Sequence, residues 1–234
     1  MVAFERYLRK NYFDTDELNR QVILECSLPR PGATLLDLGC GDGSFTLRLA
    51  AHIKAGRVLG VDFLPDLAGA AAGRGVEVSR ANIAEGLPFP DGSVEVIHSN
   101  QVIEHLTETD RFMREIRRVL KPGGYAIVST NNLASLHNIA SLIAGWQPLP
   151  CHVSDEAAGL GNPMHPFPEV QGRRGLMHLR LFTSRALADL ARYHGLKVEM
   201  TRTAGFYPLP PFLARVATLL ASRWGAYLVH RYVI

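Results

Sequence analysis

The first 130 residues alternate between short apolar runs and stretches in which apolar positions recur every three or four residues. Runs of the first kind predict buried strands, and the second pattern predicts helices with one buried side. Repeated strand–helix units predict a parallel sheet with helices on both faces. The predicted strands are 34–38, 57–62, 76–79, 94–99 and 125–130, and the helices between them are 44–53, 65–73 and 107–120.

The pattern changes on either side of this block. Residues 4–28 predict one or two helices, and the 131–145 segment predicts another with Leu133, Leu136, Ile139, Ala140 and Ile143 on its apolar side. Residues 146–178 are rich in proline, glycine and histidine, which favours a long loop acting as a binding lid. Beyond it the sequence predicts a helix at 183–194, strands at 196–203 and 227–233, and a short amphipathic helix at 211–221.

A glycine-rich turn follows the first predicted strand. Gly39, Gly41 and Gly43 stand at alternate positions and are followed at once by the predicted helix. Strand, glycine loop and helix place backbone N–H groups against a polar or anionic ligand. Nineteen residues past Gly43, the second strand ends in Asp62, where a carboxylate can accept ribose hydroxyls. The pair indicates a nucleoside site, while the alternative is an ordinary turn beside a surface aspartate.

The segment 35–45 resembles the first motif of the class I S-adenosylmethionine-dependent methyltransferases. Further motifs in the same order extend the resemblance over about residues 30–130, nearest to the small-molecule branch that includes ubiquinone-type O-methyltransferases. The resemblance implies an α/β fold: a doubly wound, seven-stranded, mostly parallel sheet of order 3-2-1-4-5-7-6 with a lid after strand five. It implies S-adenosyl-L-methionine as the cofactor.

The resemblance also carries cofactor contacts onto individual positions. Asn82 and Ile83 match the residues that meet the adenine, although Asn82 alone also reads as a turn former. Asn100, Gln101 and Val102 follow strand four, where the family lines the methionine part of the cofactor. The expected cofactor-binding residues are Asp37, Gly39, Cys40, Gly41, Gly43, Asp62, Phe63, Asn82, Ile83, Asn100, Gln101 and Val102.

Glu104 and His105 are the candidates for chemistry on the acceptor. Some family members carry E-x-x-E-H here and bind a divalent metal, but Gln101 replaces the first carboxylate in this chain. Hard cations prefer charged oxygen ligands, so no metal is expected. His105 could act as a general base because imidazole titrates near neutral pH. A purely structural role for both side chains stays open.

Composition narrows the class of protein. Net charge is only +3, and no block of lysine and arginine suggests nucleic-acid binding. The three cysteines form neither a zinc pattern nor a disulfide framework, which fits a reducing compartment. Neither a signal peptide nor a transmembrane run is recognised, so a cytoplasmic protein is expected.

These features together predict one methyltransferase domain over 1–234, with an N-terminal helical cap at 1–30 and a lid for substrate recognition at 131–180. The cap could instead be a simple packing helix. The expected reaction is methyl transfer to a small-molecule, sugar or lipid-linked acceptor, on oxygen. The rivals are a non-catalytic protein that binds the cofactor and a nicotinamide-dependent oxidoreductase. The apolar 206–224 segment reads as core packing, a surface toward lipid, or a homodimer face.

Overall fold

A computed structural model describes residues 2–154, 156–165 and 177–234. The seven helices named in that part of the chain are α1 (Val2–Cys26), α2 (Ser44–Ile53), α3 (Pro65–Gly73), α4 (Thr109–Val119), α5 (Leu136–Ile143), α6 (Ser184–Tyr193) and α7 (Pro211–Leu220). The strands are β1 (Thr34–Leu38), β2 (Arg57–Asp62), β3 (Glu77–Arg80), β4 (Val94–Asn100), β5 (Leu120–Asn131), β6 (Lys197–Ala204) and β7 (Tyr227–Val233). Two 3₁₀ turns lie at Ile83–Glu85 and Ile103–His105.

The strands form one sheet of order β3-β2-β1-β4-β5-β7-β6, which confirms the expected fold. β1 pairs in parallel with both β2 and β4, and β4 pairs in parallel with β5. β7 lies antiparallel between β5 and β6. The carboxyl ends of β1, β2 and β4 therefore meet at one edge, at the point where the chain order reverses, and such an edge is where open α/β sheets bind ligands.

Apolar side chains alternate between the two faces of the sheet. Leu36, Leu38 and Ile97 belong to a core cluster completed by Phe112, Met113 and Ile116 of α4. Their neighbours Leu35 and Val96 face the other side, where Ile23 of α1 and Leu49 and Ile53 of α2 cover them. Helices cover both faces of the sheet, which explains why the central strands are nearly continuous apolar runs in the sequence.

Several boundaries differ from those predicted. The N-terminal segment is a single helix, β3 is displaced by one residue, and β5 begins at Leu120, ahead of the Pro122-Gly123-Gly124 turn. Thr183 caps α6 as expected, since its side chain accepts a hydrogen bond from the Ala186 N–H.

α5 lies the opposite way round from its predicted orientation. Asn138 and Ser141 are buried, while Leu136 and Ile143 of the expected buried side are exposed. Asn138 Nδ2 donates to the Asn132 carbonyl at 2.9 Å, and Ser141 Oγ accepts from Asn162 Nδ2 at 3.1 Å. The polar side of α5 thus packs inward through hydrogen bonds, and its apolar side faces outward.

The segment expected to be a lid is described only in part. Residues 146–154 and 156–165 contain no named helix or strand, and the remainder of the predicted lid, 155 and 166–176, lies outside the described residues. None of the described helices combines the length and the apolar character needed to cross a bilayer.

Candidate functional site: a cleft and a chamber

The loop between β1 and α2 follows the path that its glycines allow. Gly39, Gly41 and Gly43 have φ values of 78°, 55° and 79°, a region that residues with a Cβ rarely adopt. The N–H groups of Gly39 and Cys40 both reach the Val61 carbonyl, at 2.8 and 3.1 Å. The loop is thereby fixed against the end of β2.

A second requirement for glycine comes from close packing. A Cβ at Gly39 would collide with a methyl group of Val102, and a Cβ at Gly43 would lie 3.0 Å from Ala71. A Cβ at Gly41 would instead meet nothing within 4 Å. Gly39 and Gly43 are therefore set by contacts within the protein, whereas Gly41 adjoins open space.

Asp62 is held in place at the tip of β2. One carboxylate oxygen accepts from the Gly41 N–H at 2.9 Å, and the other accepts from the Leu64 N–H at 2.9 Å. The side chain is buried. Each oxygen keeps a further lone pair, so the carboxylate can still accept hydroxyl groups from a ligand.

These elements border a cleft of about 480 Å³, within the size range of small-molecule sites. We call it the cleft. The predicted residues that line it are Gly39, Gly41, Asp62, Phe63, Asn82, Ile83, Asn100, Gln101, Val102 and His105. The sequence analysis omitted Leu64, Leu67, Ala81, Ala84, Leu106 and Thr107, which also line it.

Asp37, Cys40 and Gly43 are not among the residues that line the cleft. Asp37 is buried, where its carboxylate accepts from Thr46 and contacts His98 Nδ1 at 2.8 Å. Cys40 packs against Ala71 and Val76, and burial raises the pKa of its thiol to about 12. The three residues support the loop from behind.

Asn82 does two things. Its Oδ1 accepts from the Ala84 N–H at 3.1 Å and its Nδ2 donates to Glu85 at 2.9 Å, so it caps the 3₁₀ turn. It also borders the cleft beside Ile83. The turn-forming role is present, and a free lone pair on Oδ1 leaves room for a ligand contact.

α1 reaches the same sheet edge. Asn19 is fully buried, donates to Asn100 Oδ1 at 2.9 Å and accepts from Ser129 Oγ at 3.0 Å. Arg20 stands 5.8 Å from the ring of Phe45, which follows the glycine loop. The N-terminal helix is therefore tied to the ends of β4 and β5 next to the cleft.

A second cavity of about 200 Å³ lies on the other side of the loop that follows β4. We call it the chamber. Its walls come from α1, the end of β5, α5, the described part of 146–165 and the start of β7. They are Tyr12, Thr15, Asn131, His137, Leu149, Pro150, His152, Ala158, His165, His178, Tyr207, Ala226 and Tyr227. Its described walls contain no Asp, Glu, Lys or Arg.

Glu104 stands at the wall between cleft and chamber. It is fully buried, and its carboxylate accepts from Thr130 Oγ1 at 2.8 Å and Asn131 Nδ2 at 3.2 Å. Asn131 Nδ2 also donates to Gln101 Oε1 at 2.8 Å. Burial raises the pKa of Glu104 to about 7, so its carboxyl exchanges its proton near neutral pH.

Two histidines meet across this wall. His105 borders the cleft, His178 borders the chamber, and their ring centres are 4.8 Å apart. His105 Nδ1 lies 3.2 Å from the Met177 carbonyl and His178 Nδ1 lies 2.8 Å from the Pro150 carbonyl. A carbonyl only accepts, so each Nδ1 carries the hydrogen and each Nε2 has a free lone pair.

Burial keeps these imidazoles neutral. It lowers the pKa of His105 and lowers that of His178 to about 3. The same effect lowers the pKa of His137 in the chamber wall to about 4. One ligand atom from each of Glu104, His105 and His178 lies within 4.8 Å of the others, so this group could also hold a metal ion.

His178 is the residue that sequence reasoning missed here. In the sequence it lies at the end of an irregular segment, 73 residues beyond His105, with no spacing that connects the two. The same holds for Tyr207, in the segment before α7, and for Tyr227, the first residue of β7, which both line the chamber. The one available signal was the density of histidine and aromatic residues in that part of the chain.

Comparison with known proteins places this architecture. Residues 36–128 match a family model described as a methyltransferase domain. A probable S-adenosylmethionine-dependent methyltransferase of Mycolicibacterium smegmatis is 33% identical over 174 residues, 73% of this chain and 54% of that protein. A 2-phytyl-1,4-naphtoquinone methyltransferase of Trichormus variabilis is 32% identical over 118 residues, 47% of this chain and 51% of that protein. The chain thus spans about half the length of these two relatives.

A solved structure agrees in fold. An S-adenosylmethionine-dependent methyltransferase from Mesorhizobium loti superposes with a TM-score of 0.59 at 20% identity, covering 89% of this chain and 94% of that one. The strand order, the glycine loop and the matched motifs lead to the same conclusion. The chain belongs to the class I S-adenosylmethionine-dependent methyltransferases, whose cofactor is S-adenosylmethionine.

Proposed function

We propose that this protein transfers a methyl group from S-adenosylmethionine to an oxygen of an uncharged small-molecule, sugar or lipid-linked acceptor. The observation that carries the proposal is the single wall that separates cleft and chamber, formed by Gln101, Glu104 and His105 on one side and Asn131 and His178 on the other. An acceptor in the chamber and a cofactor in the cleft would meet there. Holding two reactants in line is the main requirement of methyl transfer.

The cleft fits an adenosyl group. Asp62 offers free lone pairs to ribose hydroxyls, and Phe63, Ile83 and Leu67 supply apolar surface for a base. Gly41 leaves open the space that a Cβ would fill. When bound, the cofactor supplies an electrophilic methyl carbon; binding, orientation and proton removal fall to this chain.

His105 is the proposed base. Its Nδ1 hydrogen is held by the Met177 carbonyl, so the Nε2 lone pair is available to an acceptor hydroxyl. A neutral imidazole is the form that a base needs, and the lowered pKa of His105 preserves that form at neutral pH. Glu104 is hydrogen-bonded to Thr130 and Asn131 and thereby holds the residues of the wall in position.

The uncharged walls of the chamber favour the acceptor class. Tyr12, Tyr207 and Tyr227 provide aromatic surface, and His137 and His178 are neutral groups that can donate or accept a hydrogen bond. A phosphate or carboxylate would find no opposite charge in these walls, whereas a hydroxylated ring would find both apolar and polar contacts. The quinone methyltransferase among the relatives shows that small-molecule chemistry occurs within this family.

Calorimetric titration with S-adenosylhomocysteine tests the cofactor site. Asp62→Ala should weaken binding by about 1.5–3 kcal/mol, through loss of a charge-assisted hydrogen bond to ribose. Asp66→Ala, which removes an exposed carboxylate one turn along the chain, is the matched control and should bind as the wild type does. Equal affinity for all three proteins would exclude Asp62 and the cleft as the cofactor site. Binding without any turnover would favour a non-catalytic protein.

Turnover with labelled cofactor and metabolite extracts tests the reaction. Once a methylated product is found, His105→Ala should reduce kcat about 10²-fold and leave affinity for S-adenosylhomocysteine nearly unchanged. His52→Ala, at an exposed position in α2, is the control. Normal turnover by His105→Ala would exclude the base.

Metal removal separates the two ways in which this cluster could act. We expect activity to survive dialysis against a chelator, because His105 needs no metal to accept a proton. Activity that is lost and then restored by Zn²⁺ or Mg²⁺ would assign Glu104, His105 and His178 to a metal ion instead.

A further inference from the structure

One side of the molecule exposes apolar side chains on several adjoining elements. We call it the apolar face. It consists of Phe4 and Tyr7 of α1; Leu136, Leu142 and Ile143 of α5; Trp146; Phe212, Leu213 and Val216 of α7; and Trp224, each at least 40% exposed. Scattered exposed apolar residues are normal in proteins, but a group this large on neighbouring elements marks an interaction surface.

Hydrogen bonds tie these elements to one another. Tyr7 Oη donates to the Pro208 carbonyl at 3.0 Å, which joins the start of α1 to the segment before α7. The Leu136 N–H donates to the Trp224 carbonyl at 3.0 Å, which joins α5 to the loop after α7. The Trp146 N–H donates to Ser141 at 2.8 Å and keeps this residue at the end of α5.

The orientation of α5 shows that the exposure is built into the fold. Asn138 and Ser141 occupy the inner side of that helix, where Asn138 Nδ2 donates to the Asn132 carbonyl and Ser141 Oγ accepts from Asn162 Nδ2. Turning the helix to bury Ile143 would expose those polar groups to solvent and break these bonds. The fold therefore stabilises an outward-facing apolar side.

Charge determines which partner fits. The sequence has no Asp, Glu, Lys or Arg between Pro122 and Ser154, and no Asp or Glu after Glu199. At the border, Arg223 lies 5.5 Å from the ring of Trp224. The first turns of α1 contain Arg6, Arg9 and Lys10 and one acidic residue, Glu5, and Lys10 is paired with Asp14 at 2.6 Å. The face is thus apolar at its centre and positive at its edge.

A second copy of this chain is a poor complement. A two-fold interface would bring the same positive border from each copy together, with little acidic charge to oppose it. A bilayer with anionic headgroups complements both features, since it accepts apolar side chains between its headgroups and attracts arginine and lysine. Trp146 and Trp224 are of the residue type enriched at that depth.

We propose that the apolar face docks this protein on the surface of an anionic lipid bilayer. The chamber lies under the same elements, because Tyr12 of α1, His137 of α5 and Tyr207 ahead of α7 form part of its wall. If the proposed methyl transfer is correct, docking brings a lipid-linked acceptor to the chamber. The docking itself does not depend on that reaction.

Co-sedimentation with vesicles tests the proposal with the whole protein. The wild type should bind mixed phosphatidylcholine–phosphatidylglycerol vesicles, bind pure phosphatidylcholine vesicles more weakly, and lose part of its binding at high salt. Ile143→Ser combined with Phe212→Ser should weaken binding at least tenfold. Tyr193→Ser is the matched control, because Tyr193 is 82% exposed but lies on α6, outside the face, and it should bind as the wild type does.

Two measurements keep the result interpretable. The variants should retain the wild-type melting temperature and affinity for S-adenosylhomocysteine, since neither substitution touches the cleft. Failure of the wild type to bind anionic vesicles would overturn the proposal without affecting the proposed methyl transfer. A wild-type dimer in light scattering that the double variant abolishes would also overturn it and would assign the face to self-association.

Discussion

α4 and α5 flank the same strand, β5, yet they follow opposite rules. α4 buries Phe112, Met113 and Ile116 and leaves its arginines outside. α5 buries Asn138 and Ser141 and leaves Leu142 and Ile143 outside. Apolar periodicity predicts which side of a helix is apolar. It predicts that this side is buried only if the opposite side of the helix faces water. The difference therefore carries information about what surrounds α5.

The largest expected effect lies in α4. Phe112→Ala should lower the free energy of unfolding by about 3–5 kcal/mol, because it removes a buried ring and leaves a cavity. Urea unfolding monitored by circular dichroism measures the change. A loss below about 1 kcal/mol would mean that the core beneath α4 is not packed as described.

A pH-dependent effect comes next, at the start of the chain segment that leads to α4. The Glu104 carboxyl titrates near pH 4.3 in an unfolded chain and near 7 when buried. Between these values the folded protein retains a proton that the unfolded chain has lost, so the contribution of Glu104 to stability falls as the pH rises.

Glu104→Gln removes that dependence. Relative to the wild type, the free energy of unfolding of this variant should rise by about 2–3 kcal/mol between pH 4.5 and pH 7.5. Exposed Glu108→Gln serves as the control and should show no such trend. Urea unfolding at a series of pH values provides the measurement, and a constant difference would show that Glu104 titrates normally.

A smaller effect is expected on the inner side of α5. Asn138→Ala should destabilise the protein by about 1–3 kcal/mol, because it removes a buried hydrogen bond and leaves the Asn132 carbonyl without it. If Asn138→Leu were more stable than the wild type in the same urea titration, α5 would have no need of a polar inner side.

The smallest effect lies on the outer side of α5. Ile143 is 84% exposed, so Ile143→Ala should change the free energy of unfolding by less than about 0.5 kcal/mol. Thermal melts of Ile143→Ala and Phe112→Ala compared side by side give the sharpest contrast between the two helices. A large loss for Ile143→Ala would place that side chain in the core.

Short sequence signals explain why the glycine loop and the acidic residue at the end of β2 could be predicted. Gly39, Gly41 and Gly43 mark the loop through their backbone needs, and Asp62 follows directly from the end of an apolar strand. The chamber was not predictable in this way. His105, His178 and Tyr207 come from the turn after β4, the segment before α6 and the segment before α7, and no periodicity in the sequence encodes their proximity.

Two residues show what a sequence motif alone does not predict. Asp37 and Cys40 belong to the recognised motif but stand behind the glycine loop, where Asp37 is tied to Thr46 and His98. A motif identifies a neighbourhood, and the side-chain directions within it depend on the turn that each glycine permits. Only coordinates separate the residues that face the cleft from those that support it.

Gln101 has one further consequence. Its φ of 56° is unusual for a residue with a side chain, its Oε1 is engaged by Asn131, and its buried Nε2 meets no hydrogen-bond partner in the part of the chain that the structure describes. A ligand oxygen placed there would accept a hydrogen bond from Gln101 Nε2. A methyl or methylene group in the same place would leave that amide N–H without an acceptor. Apolar walls discriminate only weakly between ligands of the same shape, so one unpaired amide N–H can supply most of the discrimination between them.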